Sequence, residues 1–238
     1  MIKLVTFDLW NTIFVNKHYS DLRVDYFIRF LKKNHISLSL KEVNNAFNIA
    51  FQVLDVDLDE IGYHHIHIHD RISKLLLELN INISKSECRK IASKFEGIML
   101  KDPPPLKKGV IETLNELSKN YYIALISNIG ITPGCIIKKV FKMYEIGEYF
   151  KLTLFSDETG FYKPNPIMFK TALKKFKCKP QNAIHIGDRL ETDIKGAKEC
   201  NMLTIWLNDS NSIKLNEIIP DYEIQQIYDA VSIIKGIS

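Results

Sequence analysis

Three aspartates stand where short apolar runs end: Asp8 after residues 2–7, and Asp188 and Asp193 after residues 183–186. Carboxylates brought together repel one another strongly unless a cation lies among them. Oxygen ligands in that number suit Mg²⁺, which keeps part of its water and takes its other ligands from carboxylates and substrate phosphate. A hydroxyl and an ammonium are placed in the same way. Ser127, in Ser127-Asn128, follows the run 121–126, and Lys163, in Lys163-Pro164, stands at the entry to a helix. Beside the carboxylates these two groups would bind an anionic group in transfer, and a carboxylate nucleophile that becomes an acyl phosphate is an established form of covalent catalysis.

The elements that must carry these residues follow from the apolar pattern. Residues 2–7, a short apolar run with β-branched side chains, read as a strand buried on both faces. Further runs lie at 121–126, 152–155, 183–186 and 203–207, with helical patterns between them. Leu106, Val110, Leu114 and Leu117 recur at helical spacing. Asn165-Pro166 reads as an N-cap followed by Pro at the first helical position, ahead of Ile167, Phe169, Ala172, Leu173 and Phe176. Alternating strands and helices predict an α/β fold with a doubly wound parallel sheet, whose ligand chemistry gathers at the carboxyl ends of its strands. Motifs placed just past those ends therefore meet in one crevice.

Between residues 19 and 100 the character changes. Apolar residues recur three and four apart, as in Phe27, Phe30 and Leu31, or Ile61, Ile68, Ile72, Leu75 and Leu79. Asp102-Pro103-Pro104-Pro105 ends this stretch, because proline cannot continue a helix. The expected organisation is a catalytic core of residues 1–14 and 103–238, with an all-helical module at 19–100 inserted after the first strand. Bulk properties set the outer bounds. A chain of 238 residues, 46% hydrophobic and 25% charged, can bury a sizeable core without staples. Cys88, Cys135, Cys178 and Cys200 are far apart and include no C-x-x-C pair, so neither a disulfide framework nor a zinc site is expected. The net charge of +4 is small, and basic pairs such as Lys32-Lys33 and Lys138-Lys139 are scattered, so there is no nucleic-acid footprint. No apolar run is long enough for a signal peptide or a membrane span. The expectation is a cytoplasmic protein acting on a small molecule, with no membrane or nucleic-acid partner; its oligomeric state is not written in the sequence.

Taken together, Asp8-Leu9-Trp10-Asn11-Thr12, Ser127-Asn128, Lys163-Pro164 and Gly187-Asp188-Arg189-Leu190-Glu191-Thr192-Asp193 resemble, in content and order, the four motifs of the haloacid dehalogenase superfamily. The resemblance covers almost the whole chain, and the helical module resembles the cap that many members carry between the first strand and the second motif. It implies a Rossmann-like core and a Mg²⁺-dependent phosphatase acting on a small phosphorylated metabolite. It also implies a role for each matched residue. Asp8 would be nucleophile and metal ligand, Trp10 would offer its backbone carbonyl to the metal, and Thr12 would help orient the nucleophile loop. Ser127 would hydrogen-bond the transferred phosphoryl group with help from the Asn128 backbone. Lys163 would neutralise charge shared by Asp8 and that group. Asp188 would bind the metal directly, while Asp193 would hold a metal-bound water or steady Lys163. Positioning and charge neutralisation of this kind supply most of the catalysis in phosphoryl transfer.

One residue departs from the pattern. Phosphatases of the superfamily usually carry a second Asp, the general acid/base, two residues after the nucleophile; here that position is Trp10. Dehalogenases of the superfamily also lack that Asp and commonly have Tyr there. The alternatives are therefore a 2-haloacid dehalogenase using Asp8 without metal, and a regulatory or binding protein that has lost turnover. Against the dehalogenase, the Gly-Asp…Asp pattern that metal-independent members have altered is retained. Arg23 and Arg29, the only arginines of residues 21–55, show no clear match to the halide-binding cap arginine. Phosphonate-cleaving relatives need a Schiff-base lysine from the cap, for which Lys41 is an unsupported candidate. His64, His65, His67 and His69 are candidates for specificity. On a helix His65 and His69 would lie four apart, the spacing of a shared metal site, but the only carboxylate beside them is Asp70, so a structural or solvent-facing role is expected. His185 reads as core, Trp206 as packing, and residues 208–211 as a polar loop at a strand end, on the rim of the site.

Overall fold

A computed structural model describes residues 1–51, 62–209 and 217–238; Ile61 and residues 210–211, named above, lie outside the described residues. Contacts divide the chain into two compact units. The first holds Met1–Asn16, Pro104–Asn128 and Phe141–Ser238; the second holds Lys17–Pro103 and Ile129–Val140.

In the first unit the described strands are β1 (Leu4–Phe7), β2 (Tyr122–Ser127), β3 (Phe150–Phe155), β4 (Ala183–Gly187), β5 (Leu203–Leu207) and β6 (Tyr222–Ile224). They form one sheet in the order β3-β2-β1-β4-β5-β6, and every pairing is parallel. Phe7 registers with Leu125 on one side and with Ile186 on the other. β1 and β4 are buried at every residue, which is why they appear in the sequence as unbroken apolar runs. The strand order reverses between β1 and β4, and a doubly wound sheet opens its crevice where the order reverses. Asp8 and Asp188 are the first residues past those two strands.

Two details differ from the sequence reading. Leu106 does not open a helix. It bridges Phe14, and Lys107 N–H donates to the Ile13 carbonyl at 2.9 Å, so this backbone pairs with the loop after Asp8 instead. The helix α5 (Val110–Ser118) begins only after Gly109, whose φ of 85° favours glycine. β6 has no counterpart in the apolar pattern. Three residues carry too little periodicity to be seen, and polar side chains hold this edge: Asp221 accepts from both N–H and Oγ1 of Thr204 at 2.8 Å. By contrast Asn165 Oδ1 accepts from Ile167 N–H at 3.0 Å, the bond an N-capping asparagine makes to its helix, here assigned from Ile167.

The second unit contains α1 (Ser20–Lys33), α2 (Leu40–Phe51), α3 (Ile68–Glu78) and α4 (Lys85–Gly97), and no strand among its described residues. Phe27, Leu31, Phe47, Ile72, Leu75 and Phe95 belong to its common core. Ser84 and Glu87 form a reciprocal capping box that fixes the start of α4. Ile129–Val140, which the sequence reading places with the sheet, groups with these helices. Ile131 packs on their core, and Thr132 Oγ1 accepts from the buried Arg23 at 3.2 Å. A further helix, α6 (Gly134–Met143), gives residues to both units. The helical elements α7 (Ser156–Thr159), α8 (Ile167–Lys175), α9 (Lys195–Glu199) and α10 (Asp229–Gly236) belong to the first unit. No helix among the described residues is long and apolar enough to cross a membrane.

Candidate active site

The ladder places Asp8. Its N–H donates to the Ile186 carbonyl at 2.9 Å, so β1 stays tied to β4 up to the carboxylate. The chain then turns at once: Ile13 and Phe14 both donate to the Leu9 carbonyl, and Asn11 takes a φ of 54°, a region asparagine tolerates better than most residues. Asn11 Nδ2 reaches Asp188 Oδ2 at 3.3 Å, and the Asn11 carbonyl accepts from Lys107 Nζ at 2.7 Å. Lys107 also pairs with Asp209, which ties the loop after β5 to the loop after Asp8.

Lys163 is the hub. Its ammonium lies 2.5 Å from Asp8 Oδ1 and 2.7 Å from Asp193 Oδ1, and donates to the Ile126 carbonyl at 2.7 Å. Its backbone is clamped by a single side chain. Asn128 Oδ1 accepts from Lys163 N–H at 2.6 Å while Asn128 Nδ2 donates to the Lys163 carbonyl at 3.0 Å. Carboxylate oxygens of Asp8, Asp188 and Asp193 lie within 4.8 Å of one another, the one group among the described residues able to hold a metal ion.

Asp193 arrives on a π turn (Leu190–Ile194), and Arg189 N–H donates to its Oδ2 at 3.1 Å. It folds over Gly187, where a Cβ would stand 2.4–2.5 Å from the Asp193 side chain. Gly187→Ala should therefore push Asp193 away from Lys163. Overpacking of this kind costs about 1–3 kcal/mol, so the thermal midpoint should fall by about 3–10 °C. An unchanged midpoint would show that Asp193 has room elsewhere.

Burial and charge set the protonation of this cluster. Burial acts first on all its members. For Asp193 it is outweighed by Lys163 and His185, which hold the carboxyl well below the usual range. For Lys163 burial is outweighed by Asp193 and Asp8, and the ammonium is raised. Asp8 is pushed up to about 8 by burial, with Lys163 opposing and Asp193 and Asp188 adding to the rise. Asp188 is pushed up to about 6 by burial and by Asp193. The site thus contains one firm ion pair, Lys163–Asp193, and two carboxyls that a further cation would ionise.

The sequence-predicted residues divide accordingly. Asp8, Lys163, Asp188 and Asp193 come together. Ser127 is the last residue of β2, fully buried, and its Oγ donates to the Asn128 carbonyl at 3.1 Å. Thr12 is buried with no partner for its hydroxyl. Trp10 is half-buried, its ring 6.4 Å from that of Phe14. The histidines do not share a helix: α3 starts at Ile68, so His64, His65 and His67 precede it and the four-residue spacing of His65 and His69 has no helical meaning. His65 is held at about 4 by burial, then by His67 and Arg71. Arg23 is a buried strut that donates to the Phe95 carbonyl and Thr132, while Arg29 and Lys41 are exposed.

Four residues near this cluster escaped the sequence reading of the site or were read too simply. His185 is core, as expected, yet one ring nitrogen lies 2.9 Å from Thr6 Oγ1 and the other 3.6 Å from Asp193 Oδ1. A polar side chain inside a fully buried strand was its signal. Trp206 packs with Leu190 and Ile194 and also donates its indole N–H to the Asp188 carbonyl at 2.9 Å. Asn11 and Lys107 brace the loop after Asp8, and only the folded chain brings Lys107 to it.

The family model for haloacid dehalogenase-like hydrolases matches residues 2–201. A glyceraldehyde 3-phosphate phosphatase of Pyrococcus abyssi is 31% identical over 87% of this chain and 81% of its own length. The enzyme of that name from Pyrococcus furiosus is 36% identical, but the match spans 53% of each chain, about half the length of that relative. Among solved structures, a 2-haloacid dehalogenase from Pseudomonas syringae superposes with a TM-score of 0.76 at 21% identity over 100% of both chains. The HAD-hydrolase YfnB of Bacillus subtilis, solved bound to magnesium, superposes at 0.62 with 22% identity over 98% of both. At those identities the two structures show the fold. The matched motifs, the sheet order and the clustered aspartates agree, and the chain belongs to the haloacid dehalogenase-like hydrolases.

Proposed function

We propose that the protein is a Mg²⁺-dependent phosphatase that hydrolyses a small phosphorylated metabolite through an aspartyl phosphate on Asp8. The observation that carries this reading is the cluster of the buried Asp8 and Asp193 and the half-buried Asp188 beside the single ammonium of Lys163. One cation among three carboxylates leaves room for a second, and hard oxygen donors fit Mg²⁺. Asp8 and Asp188 would hold it with the Trp10 carbonyl, and Asp193 directly or through water; when bound, it neutralises charge on the phosphoryl oxygens. Asp8 then attacks phosphorus, forming an acyl phosphate as the bond to the leaving oxygen breaks. Water attacks the same phosphorus next, releasing phosphate and restoring Asp8. Ser127, on turning its hydroxyl from the Asn128 carbonyl, and the Asn128 backbone would hold the phosphoryl oxygens, Thr12 would help orient the nucleophile loop, and Lys163 with Asp193 would fix Asp8 for attack.

The named relatives make glyceraldehyde 3-phosphate the first substrate to assay. We assign the catalytic core to residues 1–14 and 103–238, and to residues 19–100 the part of a cap that excludes water from the reaction. A phosphorylated metabolite as substrate fits work in the cytoplasm. Trp10 is the observation that favours a metal-free dehalogenase, and the clustered Asp188 and Asp193 oppose it. A panel of phosphorylated metabolites, an aryl phosphate and 2-haloacids, with Mg²⁺ or EDTA, separates the two. Phosphate release that requires Mg²⁺ is expected; halide release in EDTA would replace this reading with the other.

The metal also has a signature in stability. Asp8 at about 8 and Asp188 at about 6 lie above the unfolded carboxyl value of about 3.9. Between those values these two carboxyls hold more protons in the folded chain than in the unfolded one, so their contribution to metal-free stability falls as pH rises from about 4 to 8. Mg²⁺ needs the ionised carboxylates, so its stabilisation should grow over the same interval. At pH 8, Mg²⁺ at a hundredfold excess over its Kd stabilises by about 2.7 kcal/mol, or about 5–10 °C in Tm. At pH 5 the shift should shrink to about 2 °C or less. Equal shifts at both values would contradict the assignment.

A further inference from the structure

The helical unit carries a groove that this chemistry does not use. It lies between α1 and α4, encloses about 820 Å³, and has Tyr26, Phe30, Glu87 and Gly97 as its half-buried lining. The exposed lining is strongly cationic: Arg29, Lys33, Lys90, Lys94 and Lys101 stand against two carboxylates, Glu87 and Asp102. Both carboxylates are already engaged. Glu87 accepts from the Ser84 N–H at 2.9 Å and from its hydroxyl at 2.7 Å, and Asp102 pairs with Lys17 at 2.5 Å. Among the described residues none of the five cations makes an ion pair within 4.0 Å. Helix dipoles account for part of this charge, since Lys33 and Lys94 lie in the last turns of α1 and α4. Arg29, Lys90 and Lys101 lie outside those turns.

The rings are fixed from behind. Tyr26 meets Phe95 edge-on at 6.2 Å, and Phe30 stacks on Phe27 at 6.0 Å. Lys94 Nζ already lies 5.8 Å from the Tyr26 ring centroid. At Gly97 the φ of −83° suits any residue, and an added Cβ would meet nothing within 4 Å. The groove is therefore open and its aromatic surface preformed. Its size falls in the range of about 300–1,000 Å³ typical of small-molecule sites. A planar ring can stack on the aromatic lining, while ammonium and guanidinium groups bind phosphate oxygens by charge-assisted hydrogen bonds.

We propose that this groove binds a small polyanion bearing a flat ring, of the nucleoside diphosphate and triphosphate class. Such a ligand uses both halves of the lining; an inorganic anion would leave the rings idle. The test is calorimetric titration of the full-length protein with ADP in EDTA, which removes metal-dependent binding at the aspartates. A Kd on the order of 0.1 mM is expected. Gly97→Leu, which fills the groove, and Arg29→Glu/Lys90→Glu, which reverses exposed charges, should each weaken binding at least about tenfold with little change in thermal midpoint. Asp8→Asn, in the other unit, should bind ADP as the parent does. The proposal falls if ADP does not bind at about 2 mM, or if Gly97→Leu binds it fully. It also falls if Asp8→Asn loses the binding, or if inorganic triphosphate binds as tightly as ADP.

Discussion

Asp8→Asn should lower phosphate release by at least about 10⁴-fold, equivalent to about 5.4 kcal/mol of barrier, because an amide cannot form the acyl phosphate. The fold should tolerate the change. Burial pushes Asp8 up to about 8, so near neutral pH the metal-free protein already carries a largely uncharged group there, and asparagine has nearly its shape. The thermal midpoint in EDTA should match or exceed that of the parent. Asp188→Asn should lose comparable activity by another route, since it removes a metal ligand while the attacking carboxylate stays. Raising Mg²⁺ should recover part of the Asp188→Asn loss and none of the Asp8→Asn loss. Full activity in Asp8→Asn would end the covalent mechanism.

The second large effect concerns the leaving group. A general acid contributes about 10²–10⁴-fold, and Trp10 stands where phosphatases of this superfamily usually carry one. An alkyl phosphate must then expel an oxygen that takes its proton from water, whereas an aryl phosphate leaves as a stable anion. The expected result is an aryl-to-alkyl rate ratio of about 10²–10⁴. Hydrolysis of the acyl phosphate lacks its usual base as well, so acid quench should trap phosphoprotein. Trp10→Asp should speed alkyl substrates selectively. His65 is a poor substitute acid, because burial with His67 and Arg71 keeps it neutral near pH 7. Equal rates on both substrate types, with nothing trapped, would mean another residue supplies the proton.

The parts of this molecule readable from sequence are those that local pattern determines. Residues 203–207 are a run of apolar and β-branched residues because β5 is a central strand, and its bounds coincide with the run. A parallel sheet gathers the residues past its strand ends, so Asp8, Asp188 and Lys163 were foreseeable as neighbours. The braces were not. Lys107 reaches Asn11 across ninety-six positions of chain, and Thr6 meets His185 across a strand pair. The Asn128 clamp is a matter of side-chain direction, which spacing does not encode; the resemblance points only to the Asn128 backbone. The histidines misled in the opposite sense, since their spacing acquires meaning only on a helix and α3 starts too late.

Lys163 has one further property. An ammonium has three protons; Asp8 Oδ1 and the Ile126 carbonyl accept two of them, and Asp193 Oδ1 lies 2.7 Å away as an ion-pair partner. The nitrogen is already surrounded by three oxygens of the protein, so an arriving phosphate finds its positive charge shared with two carboxylates and a carbonyl. A free anion would have to displace one of these short contacts to bind there. The expected order of addition has a divalent cation first, which would supply the attraction, and the phosphate second. Inorganic phosphate should therefore compete weakly in EDTA and markedly once Mg²⁺ is present.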